Sequence, residues 1–153
     1  MNIIFLDFDG VLNSDRYIRT HGYFGILLDP RCLTLLKDIA DACHAKIVLT
    51  TSWRTHWSAN AEECNDMGKE INEIFSEYGL SVYDKTPRLG YSREEEIQTW
   101  LTDNPDVTNF VVLDDMFLED DFLEGHFVRT SSLRGGLDED DTKEAIAILK
   151  GRI

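Results

Sequence analysis

Asp7 and Asp9, one residue apart and followed by Gly10, are the side chains of this sequence most suited to chemistry. Two carboxylates so close together repel each other and resist leaving water, so a positive group should sit between them. Gly10 allows a turn with positive φ, or close approach of the backbone to a ligand. A second acidic pair, Asp114 and Asp115, stands far along the chain. Between the two pairs, Thr50, Thr51 and Ser52 offer hydroxyls and backbone N–H groups that can donate to an anion without adding charge.

The elements around these residues are those that would deliver them to one place. Residues 3–6 are apolar and β-favouring, which predicts a buried parallel strand carrying Asp7 and Asp9 to its carboxyl end, where open α/β sheets bind ligands. Period-2 alternation puts the two carboxylates on one side, close enough to share a cation. Residues 46–50 form a second such strand ending in hydroxyls, and residues 109–113 another ending in Asp114 and Asp115. Asp29 and Pro30 predict a helix start, with Leu33, Leu36, Ile39, Ala40 and Cys43 on its apolar face, and this helix makes the crossover.

Residues 56–78 predict a long amphipathic helix or a pair, with Trp57, Ala61, Cys64, Met67, Ile71, Ile74 and Phe75 inward, Gly68 at a kink or junction, and Gly79 as the stop. A short strand follows at 80–83 and a loop at 85–90. Ser92 and Glu95 predict a capping box that opens a helix with Ile97, Trp100 and Leu101 inward. Residues 126–130 give a last strand, in which His126 is structural. Asp138 then starts a helix that buries Ala145, Ile146 and Leu149. Residues 14–28 lack either period and predict an ordered loop or short β-flap, from which Arg16, Arg19, His21 or Tyr23 could touch substrate. Alternating strands and helices predict a doubly wound, Rossmann-like, mainly parallel α/β sheet.

Composition sets the outer bounds. A chain of 153 residues with 42% hydrophobic content fits a single globular domain over 1–153. No apolar run approaches the ~20 residues of a membrane span, and a strand beginning at residue 2 leaves no room for a leader. Cys32, Cys43 and Cys64 are odd in number and follow no metal spacing, which points to reduced thiols and a cytoplasmic setting. The formal charge of −14, with no basic stripe, disfavours a polynucleotide partner. The acidic runs at 119–121 and 138–141 are expected as solvated faces.

The run Asp7-Phe8-Asp9-Gly10-Val11 resembles the first motif of the haloacid dehalogenase (HAD) superfamily, and the later strand ends resemble its remaining motifs in order. The resemblance covers nearly the whole chain. It implies Asp7 as nucleophile and Asp9 as acid/base. Thr51 (Thr50 as the alternate) would bind a phosphoryl oxygen with Ser52 beside it. Arg93 is the implied neutralising cation of the third motif, with Lys85 and Arg88 as competitors. The stretch from Arg93 to Leu101 is similar to small HAD domains associated with RNA repair. Mg²⁺ would be held by Asp7, Asp115 and the Asp9 carbonyl, with Asp114 behind them orienting bound water or the basic residue. The Asp7 strand would lie centrally, flanked by the Thr51 and Asp115 strands, and no segment is long enough for a large cap.

These features together imply a HAD-type phosphatase, a Mg²⁺-dependent phosphomonoester hydrolase working through an aspartyl-phosphate. The expected substrate is a nucleotide or other small phosphorylated molecule, held by Trp53, Trp57 and Tyr91. A polynucleotide end is the alternative, met by a local basic patch of Arg16, Arg19, Arg54 and Arg88. A non-catalytic phosphate- or partner-binding module is the third reading, and the intact Asp7, Asp9 and Asp115 oppose it.

Overall fold

Strand β1 (Asn2–Leu6) lies at the centre of the sheet, paired in parallel with β2 (Ala45–Leu49) on one edge and β4 (Asn109–Asp114) on the other. A computed structural model describes residues 1–22 and 24–152. Beyond these neighbours, β3 (Val82–Lys85) pairs with β2 and β5 (Phe127–Arg129) with β4, giving five parallel strands in the order β3-β2-β1-β4-β5. Chain order reverses between β1 and β4, so the switch point falls beside Asp7.

Side chains alternate between two cores. Ile4, Leu6, Ile47, Leu49 and Leu113 pack on one face against α2 (Pro30–Cys43), α3 (Asp66–Glu77) and α5 (Glu139–Leu149). Ile3, Phe5, Val48 and Val112 pack on the other face against Ile97 and Trp100 of α4 (Arg93–Asp103), and against Leu118 and Leu123. With a helix layer on each side, β1 has to be apolar on both faces, and Ile3 to Leu6 are fully buried.

Several elements differ from the sequence expectation. Residues 14–22 form no β-flap. Ser14 caps a short helix, α1 (Asp15–His21), by accepting from the Tyr17 N–H, and Tyr17 stacks on His21 one turn later. Arg16 and Arg19 are exposed on this helix, and Tyr23 lies outside the described residues. The 56–78 region is not one long helix. Two 3-10 turns, Ser52–His56 and Ala61–Glu63, precede α3, because Asn60 and Asn65 each cap a new start. Ala61 is accordingly exposed. Gly68 sits inside α3, where a Cβ would overlap the His56 carbonyl, so it serves close packing instead of a kink.

The third strand begins two residues later than expected, at Val82. Ser92 caps α4 by accepting from Glu95 N–H, but the full reciprocal box occurs at α5, between Asp138 and Asp141. Asp141 is therefore buried and not part of a solvated acidic face. His126 stacks on Phe110 and bonds its carbonyl, a structural role as expected. All three cysteines are free and buried. Among the described residues, no helix is long and apolar enough to cross a membrane.

Candidate active site

The parallel register sets the site. Leu6 is level with Leu49 and Leu113, so Asp7, Thr50 and Asp114 follow at one height where the three central strands end. Asp7 N–H donates to the Leu113 carbonyl and Thr50 N–H to the Leu6 carbonyl, extending the ladder one step past β1. Beyond Asp7 the chain leaves the sheet, as Val11 and Leu12 N–H both turn back to the Phe8 carbonyl. Asp7 and Asp9 therefore do not share a strand face. Asp7 is 6% exposed, whereas the Asp9 carboxylate is exposed and accepts from Asn13 Nδ2 at 3.1 Å and Trp53 Nε1 at 3.4 Å.

Asp7, Asp114 and Asp115 bring one carboxylate oxygen each to within 4.8 Å of one another. Burial first, then the Asp114 charge, pushes the Asp7 carboxyl up to about 7, with Arg93 opposing. Asp115 is raised as well, by burial and by Asp114. Asp114 is fully buried and both its oxygens are engaged: Oδ2 accepts from Arg93 at 2.6 Å and Oδ1 from Met116 N–H at 2.9 Å.

Arg93 also lies 3.3 Å from Asp7 Oδ2. A cation at the first residue of a helix opposes the helix dipole. Burial would also lower its pKa, yet Asp114 and Asp7 hold it above its ordinary value. Of the three basic candidates for the third motif, Arg93 is the one the fold brings to the carboxylates. Lys85 instead donates to the carbonyls of Arg54 and Trp57, and Arg88 is exposed.

The donor set suits a hard divalent cation. Three crowded carboxylates supply only oxygen ligands, and burial beside the Asp114 charge raises both Asp7 and Asp115. Gly10 (φ +82°) completes the cradle, since a Cβ there would overlap the Asp115 carboxylate. Its carbonyl accepts from Thr130 Oγ1 at 2.7 Å and its N–H donates to Asn13 Oδ1 at 2.9 Å.

On the β2 side, Thr51 is buried and its Oγ1 accepts from Trp53 N–H at 3.3 Å, which leaves its own proton free to donate. Thr50 Oγ1 is buried with no partner among the described residues. Ser52 is exposed at the start of the 3-10 turn. The hydroxyl turn is held by Arg54, which is 5% exposed and outside the expected surface patch. Its guanidinium donates to the carbonyls of Thr50, Thr51 and Thr86 and pairs with Glu96 of α4 at 3.0 Å. Trp57 is also withdrawn from the expected substrate contacts, being buried with its Nε1 on Asn72. Trp53 and Tyr91 remain accessible.

Sequence reasoning gave no role to Asn13 or to the Arg54–Glu96 pair. An Asn three residues after Asp-Gly is a turn-fixing signal that could have been read. Nothing in the spacing links Arg54 to Glu96, because only tertiary packing joins them.

A family model for the HAD domain in Swiss Army Knife RNA repair proteins matches residues 3–142, from β1 into α5. The chain belongs to this family. No curated protein and no solved structure matches it. Every site residue of the HAD domain named above falls inside the match, and membership together with the acidic cluster supports a hydrolase.

Proposed function

We propose that this HAD domain is a divalent-cation-dependent phosphomonoester hydrolase with Asp7 as nucleophile. The observation that carries the proposal is the position of Asp7: buried at the switch point, 3.3 Å from Arg93 and clustered with Asp114 and Asp115. Asp7 attacks phosphorus in line, and the bond to the leaving alcohol oxygen breaks as Asp9 gives that oxygen a proton. Water then attacks the resulting aspartyl-phosphate, Asp9 takes its proton, and phosphate leaves with Asp7 regenerated. Arg93 stabilises charge on the phosphoryl oxygens, and Thr51 and Ser52 donate to them. Asp7, Asp115 and the Asp9 carbonyl would hold the cation, Mg²⁺ by preference, with Asp114 orienting Arg93. When bound, it offsets the repulsion between Asp7 and an anionic substrate.

A phosphorylated nucleotide suits the half-buried Trp53, whose Nε1 donates to Asp9 at 3.4 Å. Membership of a family of RNA repair domains favours a second reading, a phosphorylated RNA end. A screen of mononucleotides and end-phosphorylated oligonucleotides, with Mg²⁺ and with chelator, separates the two. Asp7→Asn should lose turnover by at least ~10³-fold while the melting temperature is kept. Substantial activity in that variant would remove Asp7 from the nucleophile role.

A further inference from the structure

Beside the carboxylate cluster lies an open cleft of about 520 Å³, bordered by Asp115 and otherwise by the segment from Arg129 to Arg134. Its lining carries two arginines and three hydroxyl residues, Thr130, Ser131 and Ser132, against the single carboxylate of Asp115. In a chain with 29 acidic and 15 basic residues, a cleft with this balance stands against the overall charge. Arg129 donates from Nε to the Asp115 carbonyl at 3.0 Å and lies over the Phe117 ring, 5.7 Å from its centroid, while its terminal nitrogens make no hydrogen bond among the described residues. Arg134 is held only loosely, 3.7 Å from Asp138 and 3.8 Å from Asp141, and half of its side chain is exposed. Ser132 Oγ accepts from Asp15 N–H at 2.9 Å, so α1 closes one wall and the hydroxyl proton remains available.

Two guanidiniums, Arg129 with terminal donors unpaired among the described residues and Arg134 only loosely paired with Asp138 and Asp141, with hydroxyls between them, match the chemistry of a phosphate. Asp115 belongs to both the cleft and the carboxylate cluster, so an occupant of the cleft lies next to a phosphoryl group on Asp7. We propose that the cleft formed by Arg129, Ser131, Ser132 and Arg134 is a second anion subsite. It takes another phosphate of the same substrate, so the domain prefers nucleotides with two phosphates on separate positions over simple monoesters. This rests on the hydrolase reading above. The second group can be a terminal phosphate or a phosphodiester.

The test compares kcat/KM for phenyl phosphate, a nucleoside 5′-monophosphate, a nucleoside 3′,5′-bisphosphate and a 5′-phosphorylated dinucleotide. The bisphosphate, the dinucleotide or both should exceed the monophosphate by about tenfold or more, the worth of one charge-assisted hydrogen bond. The bisphosphate alone indicates a terminal phosphate, and the dinucleotide alone a diester. Arg129→Gln and Arg134→Gln should each reduce that ratio toward one, and Arg134→Lys should keep part of it. Calorimetric affinity for the bisphosphate, measured in an Asp7→Asn background, should fall in the same order. Turnover of all four substrates at similar kcat/KM, or a ratio unmoved by both glutamine variants, overturns the subsite and leaves the hydrolase reading standing. No turnover of any of them overturns both.

Discussion

The Asp115 carboxylate packs against a residue that has no side chain. Gly10 carries a φ of +82°, and a Cβ on it would collide with the Asp115 carboxylate. Gly10→Ala should therefore cost roughly 1–2 kcal/mol through the backbone alone, and should also push Asp115 out of the cluster. Gly90, at φ +74° with open space around it, isolates the backbone part. Denaturant unfolding should show both alanine variants destabilised, and Mg²⁺ titration should show weakened binding for Gly10→Ala only. At this scale much of the candidate site was legible. Asp7, Asp114 and Asp115 stand out as charges at the ends of apolar strands and Gly10 as the turn after Asp9, whereas Arg93 was legible only through the family resemblance. Lys85 misled because a lysine in a loop reads as available, whereas its ammonium sits on two carbonyls.

At the scale of elements, every strand but β3 was read to within about a residue, since an apolar run bounded by polar residues carries its own limits. The region from 56 to 78 was not, because short 3-10 turns have no period and are set by which Asn side chain reaches which N–H. Arg54 shows the cost of that blindness. It ties the Thr50–Thr51 turn to the Thr86 carbonyl and to Glu96, while Glu96 also accepts from Leu89 N–H at 2.9 Å. Burial pulls its pKa down and Glu96 opposes that. Removing one partner of a buried ion pair strands the other. Arg54→Ala should destabilise by about 3–5 kcal/mol. The double variant Arg54→Met, Glu96→Leu should lose less than the two single changes summed. A double-mutant cycle by chemical denaturation checks this, and additive losses would mean that the pair is not coupled.

The whole molecule folds against some of its own charge. Asp7 is raised to about 7 and Asp141, behind its burial in the α5 cap, to about 6, both from an ordinary 3.8. Between those values the folded state holds protons that the unfolded state has released, so stability falls as pH rises from about 4 to about 7 and then levels. Thermal melts across that range, in chelator, should show the decline. Saturating Mg²⁺ should shrink it at the Asp7 end, because a cation bound only by the folded state adds its own stabilisation. A flat profile in chelator would show that the carboxylates are not crowded as described. The doubly wound parallel sheet followed from alternating strands and helices, and the central place of the Asp7 strand from the family resemblance, whereas these charge costs depend on distances that no sequence carries.

One helix, α4, carries both the guanidinium that meets Asp7 and, one turn on, the carboxylate that anchors Arg54. It works as a gauge block: a residue gained or lost between 93 and 96 would swing one of the two away by about 100°. A variant of this chain with that interval altered would therefore keep the Arg93–Asp7 contact or the Arg54–Glu96 pair, but not both.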